Sequence, residues 1–205
     1  MFYRFIKRAF DFTSALLLFV VISPLFLVLM ICAYFSIGKP IFFRQERSGL
    51  HGKPFHLIKF RTMTDARDVE GNLLPDQDRQ TKFGRFLRNT SLDELPELLN
   101  IIKGDMAVIG PRPLYMKYNQ YYTKHEVLRN NVRGGLIPPE SLYHDSFLTW
   151  DKQLKYEADY AENLSLKLDV QILLSVFKTI VLRKKTDYGE YVRKPLDVER
   201  TNKCE

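Results

Sequence analysis

From Phe12 to Gly38 the chain carries no charged residue, and the run LLLFVVISPLFLVLMICAYF inside it is long enough to cross the hydrocarbon core of a bilayer as a helix. The run exceeds the apolar core of a signal peptide, and no small-x-small cleavage pattern closes it, so the segment is expected to stay attached. Basic residues flank both ends, Arg4, Lys7 and Arg8 before it and Lys39, Arg44 and Arg47 after it. A crossing helix concentrates such residues on one side, so both ends here prefer the cytoplasm. Ser23 and Pro24 stand in the middle. Pro24 has no backbone donor and clashes with the preceding turn, while Ser23 can bond a freed carbonyl. These features fit equally a helix that breaks there, dips into one leaflet and returns, and a spanning helix with a proline kink.

The remainder of the 205 residues suffices for one compact domain. A net charge of +7 suits anionic partners such as phosphorylated small molecules, lipid headgroups or nucleic acid, without choosing among them. With only Cys32 and Cys204, neither a disulfide framework nor a thiolate metal cluster can be built. A reducing, cytoplasmic setting follows.

Behind the apolar run, PIFFRQERSGLHGKPFHLIKFRTM reads as a small β-hairpin turning at Ser48 to Gly52. Residues 65–82 lack any period and read as a loop. In KFGRFLRNTSLDELPELLNIIKG, apolar residues at helical spacing predict two helices meeting near Ser91, with Gly104 as the stop. DMAVIGPRPLY is an apolar run ending in an irregular, proline-stiffened loop around Arg112, and a helix is expected to begin near Leu114. The stretch 133–145 reads as loop. Residues 164–185 form an amphipathic helix, with Lys167, Gln171, Ser175 and Lys178 on one stripe and Leu166, Val170, Leu173, Val176, Phe177 and Ile180 largely opposite. Such a helix covers a core or, ending in Arg183, Lys184 and Lys185, rests on headgroups.

In SLDELPELLN, Ser91 and Glu94 have capping-box spacing and Pro96 suits a first helical turn, which places Asp93 and Glu94 at a helix start. Carboxylates there complement the helix dipole, and for many sequences that is their whole role. Here Lys59, Arg61, Arg85, Arg88 and Arg112 recur around the pair. A carboxylate nucleophile needs no deprotonation at neutral pH, but a phosphoryl substrate repels it unless cations screen the charge.

The central SP of the apolar run, FHLIKFRTM, KFGRFLRNTSLDELPELLNIIKGDMAVIGPRP and ADYAENLSLKLDV together closely resemble the monotopic phosphoglycosyl transferases, bacterial initiating sugar transferases of glycoconjugate and polysaccharide assembly. The resemblance extends from about Arg4 to Lys184. It implies a predominantly helical α+β fold with a re-entrant membrane helix (1–38) broken at Ser23-Pro24, a cytoplasmic catalytic domain (39–185) bearing the hairpin and amphipathic interface helices, and a tail (186–205). It further implies location at the inner membrane with the catalytic domain on the cytoplasmic face. The implied reaction is ping-pong: Asp93 takes a phosphosugar from a UDP-sugar, releasing UMP, and polyprenol phosphate then accepts it. Asp93 and Glu94 would hold Mg2+, with Lys59, Arg88, Arg112 and Arg133 as phosphate or substrate contacts. Asp105 and Asp169 are assigned to structure first. Where many members carry an RPGITGWAQV-like stretch, this chain has VRGGLIPPESLYHD; Arg133 and Gly135 remain, and the donor sugar is not specified. DYGEYVRKPLDVER in the tail marks either a subgroup or a partner contact, and monomer and homodimer both stay open.

Nucleic-acid binding would use the charge, but no module motif appears. A non-catalytic membrane scaffold leaves the carboxylates and GPRP without a role. A nucleotide-sugar hydrolase is the nearest enzymatic alternative, separated by whether turnover requires polyprenol phosphate.

Overall fold

The computed structural model describes residues 2–143, 145, 147–182 and 193–201; His144, Arg183, Lys184, Lys185, Cys204 and most of the tail lie outside the described residues. The chain forms two compact units, each assembled from separate stretches. One comprises Met1–Asp11, Glu46–Phe55 and Gly104–Glu205; the other comprises Phe12–Gln45 and His56–Lys103.

The apolar run lies in α1, Phe2–Ile37, which is helical without interruption through Pro24. The expected break is therefore absent, and local chemistry gives the reason. Pro24 has no N–H to offer the Val20 carbonyl four residues back. Ser23 Oγ donates to that same carbonyl at 2.8 Å, so the acceptor freed by the proline is satisfied without unwinding. Most of the apolar side chains stay exposed, Val21 at 75% and Phe35 at 81%, where a core helix would bury them. In its C-terminal half a stripe at helical spacing, Phe26, Leu29 and Ala33, is buried against Phe60 and Leu87.

The hairpin forms as expected. Strands β1, Phe42–Ser48, and β2, Pro54–Phe60, pair around a short 3-10 turn at Leu50–Gly52. Aromatic contacts fix it to the membrane helix, with the Phe26 and Phe60 rings 5.2 Å apart. The stretch 65–82 is not wholly irregular: it contains a helical turn, α2, Asp76–Arg79, and isolated bridges between Met63 and Gln80 and between Arg67 and Leu73. Next come α3, Lys82–Asn89, capped by the Thr81 hydroxyl, and α4, Glu97–Lys103, ended by Gly104 at φ +99°.

In the other unit the expected loop at 133–145 contains a strand. β3, Met106–Ile109, runs parallel to β4, Gly134–Ile137, in the register Met106 to Gly134 and Ile109 to Ile137. Two glycines allow backbones to meet where side chains could not. A Cβ on Gly135 would stand 2.0 Å from Gly110 N, and one on Gly110 would stand 2.3 Å from Arg133 O. Four residues containing two glycines carry no strand period, so the pairing is invisible in the sequence. The helix expected from Leu114 is a 3-10 segment, Met116–Tyr121.

Two helices complete this core, α5, Trp150–Glu162, and α6, Leu166–Val181. α6 differs from a simple core cover. Asp169, Ile172 and Ser175 are buried, whereas Leu166, Val170, Leu174, Phe177 and Val181 form an exposed stripe at 3–4 residue spacing. The described part of the tail packs on its own chain: α7, Leu196–Thr201, buries Leu196, and Arg200 holds Glu126 through two contacts of 2.6 Å.

Candidate active site

Asp93 and Glu94 lie in a 3-10 turn, Leu92–Glu94, directly before α4. The capping box does not form. Ser91 sits in the left-handed region at φ 55° and its side chain makes no capping bond. The reversal at Ser91 instead lets Leu92 and Leu95 pack on the cluster around Phe60 and Leu87, which leaves the two carboxylates on the turn between them. A non-glycine residue held in this conformation is a costly choice that recurs at functional sites.

Lys59 on β2 reaches this turn. Its Nζ donates to Glu94 Oε1 at 2.6 Å and lies 3.1 Å from Glu97 Oε1. Burial pulls the lysine's pKa down, but Glu97 and Glu94 outweigh it, and the ammonium is held above its ordinary value. Arg88, exposed on α3, donates from Nε to Thr62 Oγ1 at 2.9 Å. The Asp93 carboxyl is pushed above the usual carboxylate range by burial, with the negative charge of Glu94 adding to the effect and Lys59 and Arg88 opposing it. A partly desolvated carboxylate of raised basicity with two cations acting on it can serve as a nucleophile, a general base or a structural anchor of the turn.

Sequence reasoning missed Glu97 and Asn100. Glu97 is buried and shares Lys59 with Glu94. Asn100 is buried at 1% exposure; its side chain accepts from Ile58 N at 3.0 Å and donates to His56 O at 2.8 Å, which clamps α4 to β2. The three-residue spacing of Glu94 and Glu97 was the available signal. Asn100, a lone polar residue within LLNII, offered none.

The same unit carries a groove of about 1180 Å³ along the C-terminal half of α1 and the hairpin. Met30, Ile31, Phe42 and Phe43 give it apolar walls, and Lys39 and Arg61 supply cations.

Lys59, Arg88, Asp93 and Glu94 thus come together, while Arg112 and Arg133 belong to the other unit. Arg112 is exposed, and its backbone is locked at both ends. Its N–H donates to Glu157 Oε1 at 3.0 Å and its carbonyl accepts from Arg129 Nη2 at 2.6 Å. Arg129 and Glu157, a buried ion pair at 2.6 Å, are the concealed support of the GPRP loop. Nearby, burial and the charge of Glu157 push the Glu140 carboxyl up to about 8. Arg133 donates from Nε to Gly104 O at 2.8 Å. Asp169 has the structural role expected of it, accepting from Tyr3 at 2.5 Å and Tyr160 at 2.6 Å and pairing with Lys7 at 2.9 Å.

Among the described residues, His125, Asp159 and Glu162 form a surface trio close enough to share a metal ion, with His125 Nε2 at 3.6 Å from Asp159 and 3.2 Å from Glu162.

The sequence matches the profile of bacterial sugar transferases over residues 2–183. It is 46% identical to an uncharacterized sugar transferase of Bacillus subtilis, EpsL, over 177 residues, covering 86% of this chain and 88% of that protein. It is 33% identical to the UDP-glucose:undecaprenyl-phosphate glucose-1-phosphate transferase of Escherichia coli over 189 residues, covering 87% of this chain and 41% of that protein. With the undecaprenyl-phosphate galactose phosphotransferase of Salmonella typhimurium the identity is 31% over 200 residues, 88% of this chain and 41% of the relative. The chain therefore spans about two fifths of the length of these two named transferases.

Proposed function

The chain belongs to the bacterial sugar transferase family, and from that premise we propose that it transfers a phosphosugar from a UDP-sugar to polyprenol phosphate through a covalent intermediate on Asp93. The observation that carries the reading is the half-buried Asp93 carboxyl, raised in basicity on a strained turn, with Lys59 and Arg88 acting on it. Two relatives are named for sugar-phosphate transfer to undecaprenyl phosphate, which supports the same chemistry here.

An Asp93 carboxylate oxygen attacks the phosphorus that bears the sugar. The bond from that phosphorus to the bridging oxygen of UMP breaks, UMP leaves with the electron pair, and an acyl phosphate ester of the sugar remains on Asp93. An oxygen of polyprenol phosphate then attacks the same phosphorus, and the bond to Asp93 breaks. The carboxylate is regenerated and polyprenyl diphosphate sugar is released. Lys59 holds Glu94 and Glu97 so that the turn keeps its shape, and Arg88 offsets substrate charge. Asp93 and Glu94 fit magnesium by their all-oxygen donor set and by the mutual repulsion that raises Asp93. When bound, the ion neutralises diphosphate charge.

The acceptor's isoprenoid chain lies in the apolar groove beside Met30 and Phe42, its phosphate drawn by Lys39 and Arg61. The exposed stripe of α6 rests in the headgroup layer. For α1 to enter one leaflet of the inner membrane and return, the helix has to bend sharply at Ser23-Pro24, where the proline supplies no backbone donor, so that the basic residues at both ends face the cytoplasm. Cysteine labelling at both ends of α1 tests this, since modification of one end from the outside would establish a crossing helix instead.

The reaction is tested by incubating purified protein with magnesium and a panel of UDP-sugars without lipid, then weighing the intact chain. A phosphosugar adduct on the wild type that is missing in Asp93→Asn supports the covalent route and names the donor. No adduct, with turnover once polyprenol phosphate is added, would replace it with direct transfer. UMP release that continues over many turnovers without any polyprenol phosphate, beyond one equivalent per enzyme, would favour the hydrolase.

A further inference from the structure

α4 faces β2 with polar side chains. Glu97 and Asn100 stand three residues apart in ELLNIIK and so share a face of the helix, and both are buried, at 4% and 1% exposure. Leu98 and Ile101, beside them in the same helix, are buried and apolar. A leucine in place of Asn100 would continue that pattern and bring no polar group to desolvate. What the carboxamide adds is direction.

The Asn100 side chain binds β2 as a neighbouring strand would. Its Oδ1 accepts from Ile58 N at 3.0 Å and its Nδ2 donates to His56 O at 2.8 Å. Strand residues two apart turn their backbone groups to the same edge, so a single carboxamide takes both. The two bonds fix which residues of β2 stand opposite Asn100. Lys59 follows Ile58 directly, and by alternation it projects on the same face as the buried Leu57. Its ammonium lies 3.1 Å from Glu97 Oε1, one turn back along α4, and 2.6 Å from Glu94 Oε1. A slip of β2 by one residue would turn Lys59 to the other face, away from both carboxylates. His56 to Lys59, the carboxylate turn and α4 all belong to one compact unit.

We propose that Asn100 is a positioning residue of the transfer reaction: by holding β2 in register on α4 it sets Lys59 against Glu94 and Glu97, and through them the placement of the neighbouring Asp93. The role presupposes the phosphosugar transfer proposed above, whereas the clamp on β2 does not. Asn100 touches no reacting group in this scheme. It acts only through the lysine.

Two measurements on the full-length protein in detergent test the role. The first is UMP release at saturating undecaprenyl phosphate and whichever UDP-sugar of a panel the wild type uses, well below the melting midpoint of every variant. Asn100→Leu keeps much of the volume and loses both bonds, and should lower the maximal rate by about 10- to 100-fold, as misplacing a reacting group does. Leu98→Ala, a cavity on another face of the same helix, should lower the melting midpoint but cost the rate less than about threefold. In the Lys59→Met background Asn100→Leu should cost less than about threefold more, because its route to Asp93 is already gone. Asn100→Ser, which keeps a hydroxyl toward β2, repeats the cycle should the leucine variant fail to fold. Losses that multiply in the double variant, as for independent sites, overturn the proposal, and so does a rate in Leu98→Ala as low as in Asn100→Leu. The second measurement is hydrogen exchange at the Ile58 amide, which does not depend on turnover. It should quicken at least about tenfold in Asn100→Leu and far less in Lys59→Met. Equal exchange in wild type and Asn100→Leu overturns the clamp. A wild type that protects Ile58 yet releases no UMP fails the sugar-transfer reading, and the catalytic role with it, while the clamp stands.

Discussion

Lys59 Nζ and Glu94 Oε1 stand 2.6 Å apart, and the same ammonium lies 3.1 Å from Glu97, so one cation ties the carboxylate-bearing turn to the first turn of α4. Lys59→Met leaves the buried Glu97 charge without this partner and should destabilise the fold by roughly 2 kcal/mol, below the value for a fully buried pair because the site is partly exposed. Denaturant unfolding in detergent measures it. Losing a cation that lowers the Asp93 pKa should also move the acid limb of the transfer rate toward higher pH.

Asp93→Asn should reduce transfer by about 10⁴-fold or more, as loss of a nucleophile does. Its stability should move the other way. The folded pKa of Asp93 lies above its unfolded value, so ionisation costs the fold stability as pH rises through that pKa. The amide never ionises. Melting at neutral pH should therefore be slightly higher for the variant, and the difference should vanish below about pH 3.9, the ordinary value for an aspartate.

Glu140→Gln tests the same linkage at a larger shift. With the folded pKa near 8 and the unfolded one near 4.5, the native protein binds more protons than the unfolded chain between those values. Wild-type stability falls across that window. The glutamine variant should show a flatter profile between pH 5 and 8, read by thermal melts in a pH series.

Gly135→Ala places a methyl 2.0 Å from the backbone nitrogen of Gly110 and should separate β3 from β4. A loss of about 4 kcal/mol or more is expected, since backbone cannot yield as a side chain does. Hydrogen exchange at Gly110 and Gly135, whose amides donate to Ile137 O and Pro111 O, should accelerate first.

Ser23→Ala removes the hydroxyl that donates to the Val20 carbonyl, and Pro24→Ala restores a backbone donor four residues on. The two changes should therefore be non-additive. A double-mutant cycle in lipid should return a coupling of about 1 kcal/mol.

How much of this was legible depended on the reach of each interaction. The hairpin, the apolar helix, the helices around Ser91 and the stop at Gly104 rest on period and turn chemistry within a few residues, and they formed as read. β4 was missed because its pairing requires Gly110 and Gly135 to meet backbone to backbone, a contact that depends on missing side chains. The capping box was written in the sequence but lost to packing: Leu92 and Leu95 draw the turn inward, and Ser91 takes a positive φ. Asp93, Glu94, Lys59 and Arg88 are marked by their types and motifs and fall in one unit, whereas Arg129 and Glu157, which hold the Arg112 loop, are distant in sequence and carried no local signal.

The carboxylate of Asp169 also sets an order of events during synthesis. It is made 166 residues after Tyr3, whose hydroxyl it accepts. At ~5–20 residues per second, translation takes roughly ten to thirty seconds to cover that distance. By the end of that interval the apolar run has left the ribosome, while the helical turns ahead of it still wait for Asp169. The membrane helix must therefore find its lipid environment before its own N-terminal end is fastened, and the last third of the chain acts as the latch.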